Sequence, residues 1–94
     1  MASYLVGVVS KHDLARYQDY ALAGYRLIDG VDVEVALAEA PEVHEGTLPG
    51  TSIVIMKFAD NEAAARWYRS EGYQEVIPIR HEAAVTHFVI TFQA

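Results

Sequence analysis

Hydrophobic and polar positions along this chain switch between strand and helix period four times. Tyr4 to Ser10 is apolar and β-branched on both faces, which predicts a central strand covered on both sides. Gly7 in its middle allows a bulge or a close approach by another group. From Asp13 the spacing becomes helical: Leu14, Tyr17, Ala21, Gly24 and Ile28 share a face, with Tyr20 and Leu27 beside them. A helix over 13–28 follows, capped by Asp13 or His12 and stopped at Asp29-Gly30, with Gly24 letting it sit close to a sheet. Val31, Val33, Val35 and Leu37 alternate with Asp32, Glu34, Ala36 and Ala38, the pattern of an edge strand guarded by charge. Pro41 breaks it, and Val43 to Gly46 reads as a resumption before the turn 46–50. Thr51 to Phe58 is again apolar on both faces, a second central strand. Asp60 then caps a helix that turns Ala63, Ala64, Trp67 and Tyr68 toward the strands. Ser70-Glu71-Gly72 reads as an interruption, followed by a short helix over 73–77 that Pro78 ends or kinks. Val85 to Phe92 is the last strand, with Val85, His87, Val89 and Thr91 on one face and Thr86, Phe88, Ile90 and Phe92 on the other.

The order is β-α-β-β-α-β, an α+β ferredoxin-like sandwich: a four-stranded antiparallel sheet with both helices on one face. The other sheet face carries apolar residues and has no cover within the chain. Two such sheets packed together bury it, so a homodimer is expected. Composition agrees. At 94 residues the chain makes a single domain, 1–94, yet 52% of its residues are hydrophobic, generous for a unit that buries only part of its surface. The absence of cysteine removes disulfides, thiol nucleophiles and thiolate metal sites. A net charge of −6 with scattered basic residues argues against nucleic acid and against anionic membranes. No apolar run reaches the ~20 residues of a membrane span, and Met1-Ala2-Ser3-Tyr4 lacks a signal-peptide pattern, so a cytoplasmic protein is expected.

The stretch from Ala59 to Arg80 holds the only Trp, two of the six Tyr and three of the seven basic residues. The run Trp67-Tyr68, Ser70, Tyr73 and Arg80, together with Asp13, Tyr17, Tyr20, Glu45-Gly46, Phe58 and Ala64, resembles the family of domain of unknown function 1330. The resemblance spans nearly the whole chain. It implies membership of the dimeric α/β-barrel superfamily, alongside small cofactor-free monooxygenases, isomerases and polyketide cyclases. It implies no settled activity, because one fold hosts many chemistries. The chain departs from that family where a basic, glycine-rich stretch usually ends the second strand. Here Ala38-Glu39-Ala40-Pro41 stands there, so any anion contact made by that stretch in relatives is lost or reversed in sign.

Candidate chemistry gathers around aromatics and one arginine. Tyr17, Trp67, Tyr68 and Glu45 are the candidate ligand-binding residues, and Tyr73, Arg80, His12 and His87 the candidate catalytic ones. Tyr73 and Arg80 share a helix face if the helix survives Pro78. Arginine beside aromatics suits a carboxylate or enolate on a planar body, and a Tyr suits a developing oxyanion. The plain alternative is a packed aromatic core with Arg80 paired to Glu45, Glu71 or Glu75. His87 serves as acid or base if its strand face meets the helices, and as an interface hydrogen bonder otherwise; His12 stands where a strand hands over to a helix. No His spacing fits a local metal site, no glycine-rich phosphate loop or serine elbow is present, and no cofactor is expected. Two classes stay open: a cofactor-independent enzyme acting on a small carbonyl or enolisable substrate, and a non-catalytic homodimer that binds a small molecule or serves a structural role. The first requires an apolar cavity with converging polar groups; the second requires a filled core.

Overall fold

A computed structural model describes all 94 residues. The elements run β1 (Ser3–Lys11), α1 (Leu14–Arg26), β2 (Val33–Glu39), β3 (Ser52–Phe58), α2 (Asn61–Tyr68), α3 (Glu71–Ala83) and β4 (Ala84–Gln93). The strands form one antiparallel sheet in the order β2-β3-β1-β4, with the two doubly apolar strands in the middle as expected. This is the ferredoxin-like α+β arrangement. No helix is long and apolar enough to cross a membrane.

Local sequence accounts for most boundaries. The Asp13 side chain accepts from the Arg16 amide at 3.0 Å, and Asp60 from the Ala63 amide at 2.8 Å, so each carboxylate satisfies a donor that the first turn leaves free. Residues 43–46 do not resume β2; they lie in the irregular connection to β3, which bends at 44–46. Gly46 adopts φ +85°, which the absence of a side chain permits.

The last helix differs from expectation. The interruption is present but shorter than expected: α2 ends at Tyr68, and Ser70 caps α3, its hydroxyl accepting from the Tyr73 amide at 3.3 Å. The helix then runs straight through Pro78 to Ala83. A proline inside a helix removes one hydrogen bond and costs roughly 3 kcal/mol. Burial on both sides of the break offsets it, since Tyr73, Arg80 and Ala83 are all buried while Pro78 itself faces solvent. The Ala83 carbonyl also accepts the amides of His12 and Asp13, tying the end of α3 to the start of α1.

Strand parity sorts the sheet into two faces. Leu5, Gly7, Val9 and Lys11 of β1 lie on the helix side, with Val54, Met56 and Phe58 of β3 and Val89 of β4. The core there comprises Leu5, Met56, Phe58, Ala64, Trp67 and Tyr73, and full burial of a side chain such as Phe58 is worth about 1.5–3 kcal/mol. On the opposite face Ile55, Phe88, Ile90 and Phe92 remain exposed, and the Tyr4 and Phe92 rings stack at 5.5 Å.

The helices do not share the helix-side face equally. α2 packs on the sheet, whereas α1 packs chiefly against α3 and has no buried residue. Gly24 therefore does not bring α1 down onto the strands: a side-chain carbon built there would meet nothing within 4 Å. The inner face of α1 offers only Ala21 and Gly24 at its middle, and Gly7 stands on β1, so the volume beneath the helix is left open.

Candidate functional site

The open volume is a cavity of about 440 Å³ between α1 and the strands β1, β2 and β3, within the size range of small-molecule sites. Its wall is mostly apolar. Val35 and Leu37 of β2 and Leu14 and Tyr25 of α1 form a lip exposed to solvent.

The inner end is built by three residues. Tyr20 of α1 and Tyr73 of α3 place their hydroxyls 2.7 Å apart, and both line the cavity. Behind them Arg80 is only 4% exposed. Its Nη1 donates to the Tyr73 hydroxyl at 2.7 Å and to the Tyr20 hydroxyl at 3.3 Å, and its Nε donates to Thr86 Oγ1 at 3.1 Å. The expected carboxylate partners are absent: Arg80 joins no ion pair with Glu45, Glu71, Glu75 or any other acid. Proline does not separate Tyr73 from Arg80, because the helix continues across it and two turns bring the side chains to one face.

The hydrogens can be counted. Both phenol oxygens accept from Arg80, and one phenol donates to the other. The remaining phenol proton has no acceptor within the chain. Burial pushes the Tyr73 phenol well above its ordinary range, with the neighbouring Tyr20 adding to the effect and Arg80 opposing it. Burial likewise raises Tyr17 to about 12. Burial works against the Arg80 charge, yet Tyr73 and Tyr20 outweigh it and its pKa lies above the ordinary value. The inner end is thus a pair of neutral donors backed by a permanent cation.

The outer end carries the other polar groups. Lys11 pairs with Glu39, and its Nζ lies 4.4 Å from the centre of the Tyr17 ring. Glu39 also accepts from the Ser52 hydroxyl, and these two contacts, Lys11 first, hold its carboxyl below the usual range. Tyr17 links the two ends, its ring centre 5.3 Å from that of Tyr20. Trp67 is part of the core and of the cavity wall at once. Its Nε1 donates to the Leu27 carbonyl at 3.2 Å and its ring lies 4.3 Å from Tyr73. Tyr68 stands behind Tyr73 at 5.4 Å and does not reach the wall.

The structure therefore gathers Tyr17, Trp67, Tyr73 and Arg80, with Tyr68 in support, and leaves His12, His87 and Glu45 apart. His12 is exposed at the start of α1. His87 is the extra residue of a bulge in β4, between the partners of Val8 and Val9. Its Nε2 lies 2.7 Å from Ser10 Oγ, on the face opposite the cavity, and a Cβ on Gly50 would collide with its ring. The side chain therefore faces away from the cavity and bonds within its own chain. Glu45 is exposed in the β2–β3 connection and touches nothing in the cavity. Four contributors are not among the candidates drawn from sequence: Tyr20, Lys11, Glu39 and Ser52. Tyr20 lies three residues after Tyr17 on one helix and was within reach of that spacing. The other three meet only through strand register, Glu39 opposite Ser52 across β2 and β3.

Several solved structures share the fold. A dimeric ferredoxin-like protein of unknown function from Jannaschia sp. CCS1 superposes with a TM-score of 0.82 at 9% identity, covering 100% of both chains. SnoaB from Streptomyces nogalater, a cofactor-independent oxygenase, gives 0.72 at 12% identity over 99% of this chain and 92% of that one. A dimeric ferredoxin-like protein of unknown function from Thermobifida fusca YX gives 0.70 at 8% identity, covering 100% and 92%. Among curated proteins no sequence matches. These likenesses establish the fold alone. The sequence itself goes further, because residues 2–93 match the model of the domain of unknown function DUF1330, and the chain belongs to that family.

Proposed function

We propose that the cavity binds a small, largely apolar organic molecule through a carbonyl or enol oxygen, and that the protein is a cofactor-independent enzyme acting on such a substrate. The observation that carries this reading is the Tyr20–Tyr73 pair on the cavity wall with Arg80 behind it. A carbonyl oxygen set against the pair accepts the unassigned phenol proton. Negative charge developing on that oxygen then meets a phenol donor already oriented by a buried cation. The aromatic wall of Tyr17, Trp67 and Tyr73 suits a planar body. SnoaB, of the same fold, is a cofactor-independent oxygenase, so this architecture accommodates chemistry that side chains support unaided. His12 and His87, first considered as proton carriers, have no part in the reading because neither lines the cavity.

The protein acts as a homodimer in this reading. The exposed face of Ile55, Phe88, Ile90 and Phe92 is the surface that a second sheet covers, and the similar proteins from Jannaschia and Thermobifida are described as dimeric.

Gly24 supplies the test. It lines the cavity on α1, and a Cβ placed there meets no neighbour within 4 Å. Gly24→Leu projects a branched side chain into the cavity and improves helix propensity by roughly 1 kcal/mol. The expected result is a variant at least as stable as the parent that no longer gains thermal stability from small aromatic ketones and enols. Retained binding in Gly24→Leu places the ligand elsewhere. Absence of binding in the parent across such a panel leaves the non-catalytic, structural dimer.

A further inference from the structure

We propose that the cavity takes its ligand already ionised, as an enolate, phenolate or related oxygen anion on an apolar body, with the charged oxygen against the Tyr20–Tyr73 pair. The inference rests on the reading of the cavity as a ligand site and narrows it from carbonyl compounds in general to oxygen acids.

Arg80 is the first observation. A buried charge is costly unless something offsets it, and buried guanidinium groups are ordinarily paired with carboxylates. Here every partner is a neutral hydroxyl: Tyr20 from α1, Tyr73 from the same helix and Thr86 from β4, with Tyr68 of α2 nearby. Nothing in the chain neutralises this cation. An anion resting on the two phenols receives their free proton as a hydrogen bond and lies one hydroxyl away from the guanidinium. A neutral carbonyl receives the hydrogen bond and leaves the charge uncompensated.

The second observation is the wall itself, which holds no group suited to removing a proton at neutral pH. Glu39 is its only carboxylate; Lys11 occupies one oxygen and Ser52 the other. Lys11 is the only cation on the wall and is committed to Glu39. The remaining titratable groups facing the cavity are the phenols of Tyr17, Tyr20, Tyr25 and Tyr73. A ligand that arrives without its proton needs no base from the protein, and the donor pair can hold it as it stands. A simple ketone, which must lose a proton to carbon, finds no acceptor here.

The test uses para-nitrophenol, whose phenolate absorbs visible light while the neutral form does not, titrated against the purified full chain over a range of pH. The expected result is that the bound compound stays ionised below the pH at which the free compound takes up its proton. A preference of about tenfold for the phenolate lowers its apparent pKa by one unit. The same titration with the Tyr20→Phe/Tyr73→Phe double variant should abolish the shift, and so should Arg80→Gln; if Arg80→Gln does not fold, the double variant decides. Equal or tighter binding of the neutral phenol overturns the proposal and leaves the ligand site standing. A shift that survives in the double variant also overturns it, since the anion would then be held elsewhere. Failure of both forms to bind overturns the proposal, and the ligand-site reading falls with it only where the ketone and enol panel fails as well.

Discussion

Tyr73 and Arg80 lie seven residues apart on α3, on either side of Pro78, and their side chains meet at 2.7 Å. The contact is a guanidinium on a neutral phenol, and its energetics differ from those of a buried ion pair. In an ion pair, removing one partner strands a charge and costs about 3–5 kcal/mol. Replacing Arg80 strands no charge; it leaves hydroxyls that still bond each other.

Arg80→Met should therefore be mild. It keeps most of the side-chain volume and removes a desolvated cation, so a loss under about 1.5 kcal/mol is expected. Arg80→Ala opens a cavity as well and should cost about 2–4 kcal/mol. Urea unfolding midpoints of the two variants check the order. A Met variant as damaging as the Ala variant would mean that the charge itself holds the fold.

The two phenols should behave as one unit toward a ligand. Each single replacement, Tyr20→Phe or Tyr73→Phe, removes the hydroxyl that accepted or gave the shared proton, and the surviving phenol then has its own proton free. Single variants should keep ligand affinity within about a factor of 3, while the double variant loses far more than the two added together. For stability the order is set by distance. The Arg80 bond to Tyr73 is 2.7 Å and to Tyr20 3.3 Å, so Tyr73→Phe should cost about 1–2 kcal/mol and Tyr20→Phe less. Calorimetric titration of all three variants with one ligand, beside their unfolding curves, measures both.

Sequence periodicity made the architecture legible, because each element announces itself locally. Leu14, Tyr17, Ala21 and Gly24 share a helical face that does look inward, and Thr51 to Phe58 is central because both its faces are apolar. Where the reading failed, the deciding contact was distant in sequence. Pro78 is a helix breaker by local rules, yet Tyr73 and Arg80 are held by Tyr20 and Thr86 from other elements. Gly24 predicts close packing by its size, and whether α1 descends depends on α3, against which it leans instead. His87 falls on its face according to a bulge opposite Val8 and Val9 that alternation cannot count. Lys11 and Glu39 lie 28 residues apart and meet only because strands of set register bring them together.

Alkaline pH should unfold the protein earlier than its net charge alone would. Tyr17 rises from 10.0 to about 12 in the folded state, and Tyr73 is raised further. A folded pKa above the unfolded value means the native state keeps a proton that the unfolded chain releases. The stabilisation is complete below pH 10 and is lost as pH climbs through 10 toward 12. Tyr17→Phe should flatten that part of the profile and leave the neutral region in place. Urea midpoints taken stepwise across the range, with tyrosinate absorbance followed in parallel, give the comparison; a variant with an unchanged slope would assign the loss to other groups.

The outer sheet face yields the last prediction. Ile90 and Phe92 remain 49% and 46% exposed, beside Ile55 and Phe88, on strands whose opposite face carries the core. Alternation along β4 keeps Ile90 out of the cavity and the helix-side packing, so a charge there acts on the outer face alone. If that face joins two copies, Ile90→Lys places two cations close to the centre of a symmetric contact, where each must be desolvated near its like. Sedimentation should then show a dimer for the parent and a monomer for the variant at micromolar concentration. Without the stabilisation that association supplies, the monomer should also melt lower and independently of concentration. A parent that sediments as a monomer would contradict the dimer directly, and an Ile90→Lys variant that remains dimeric would move the contact to another surface.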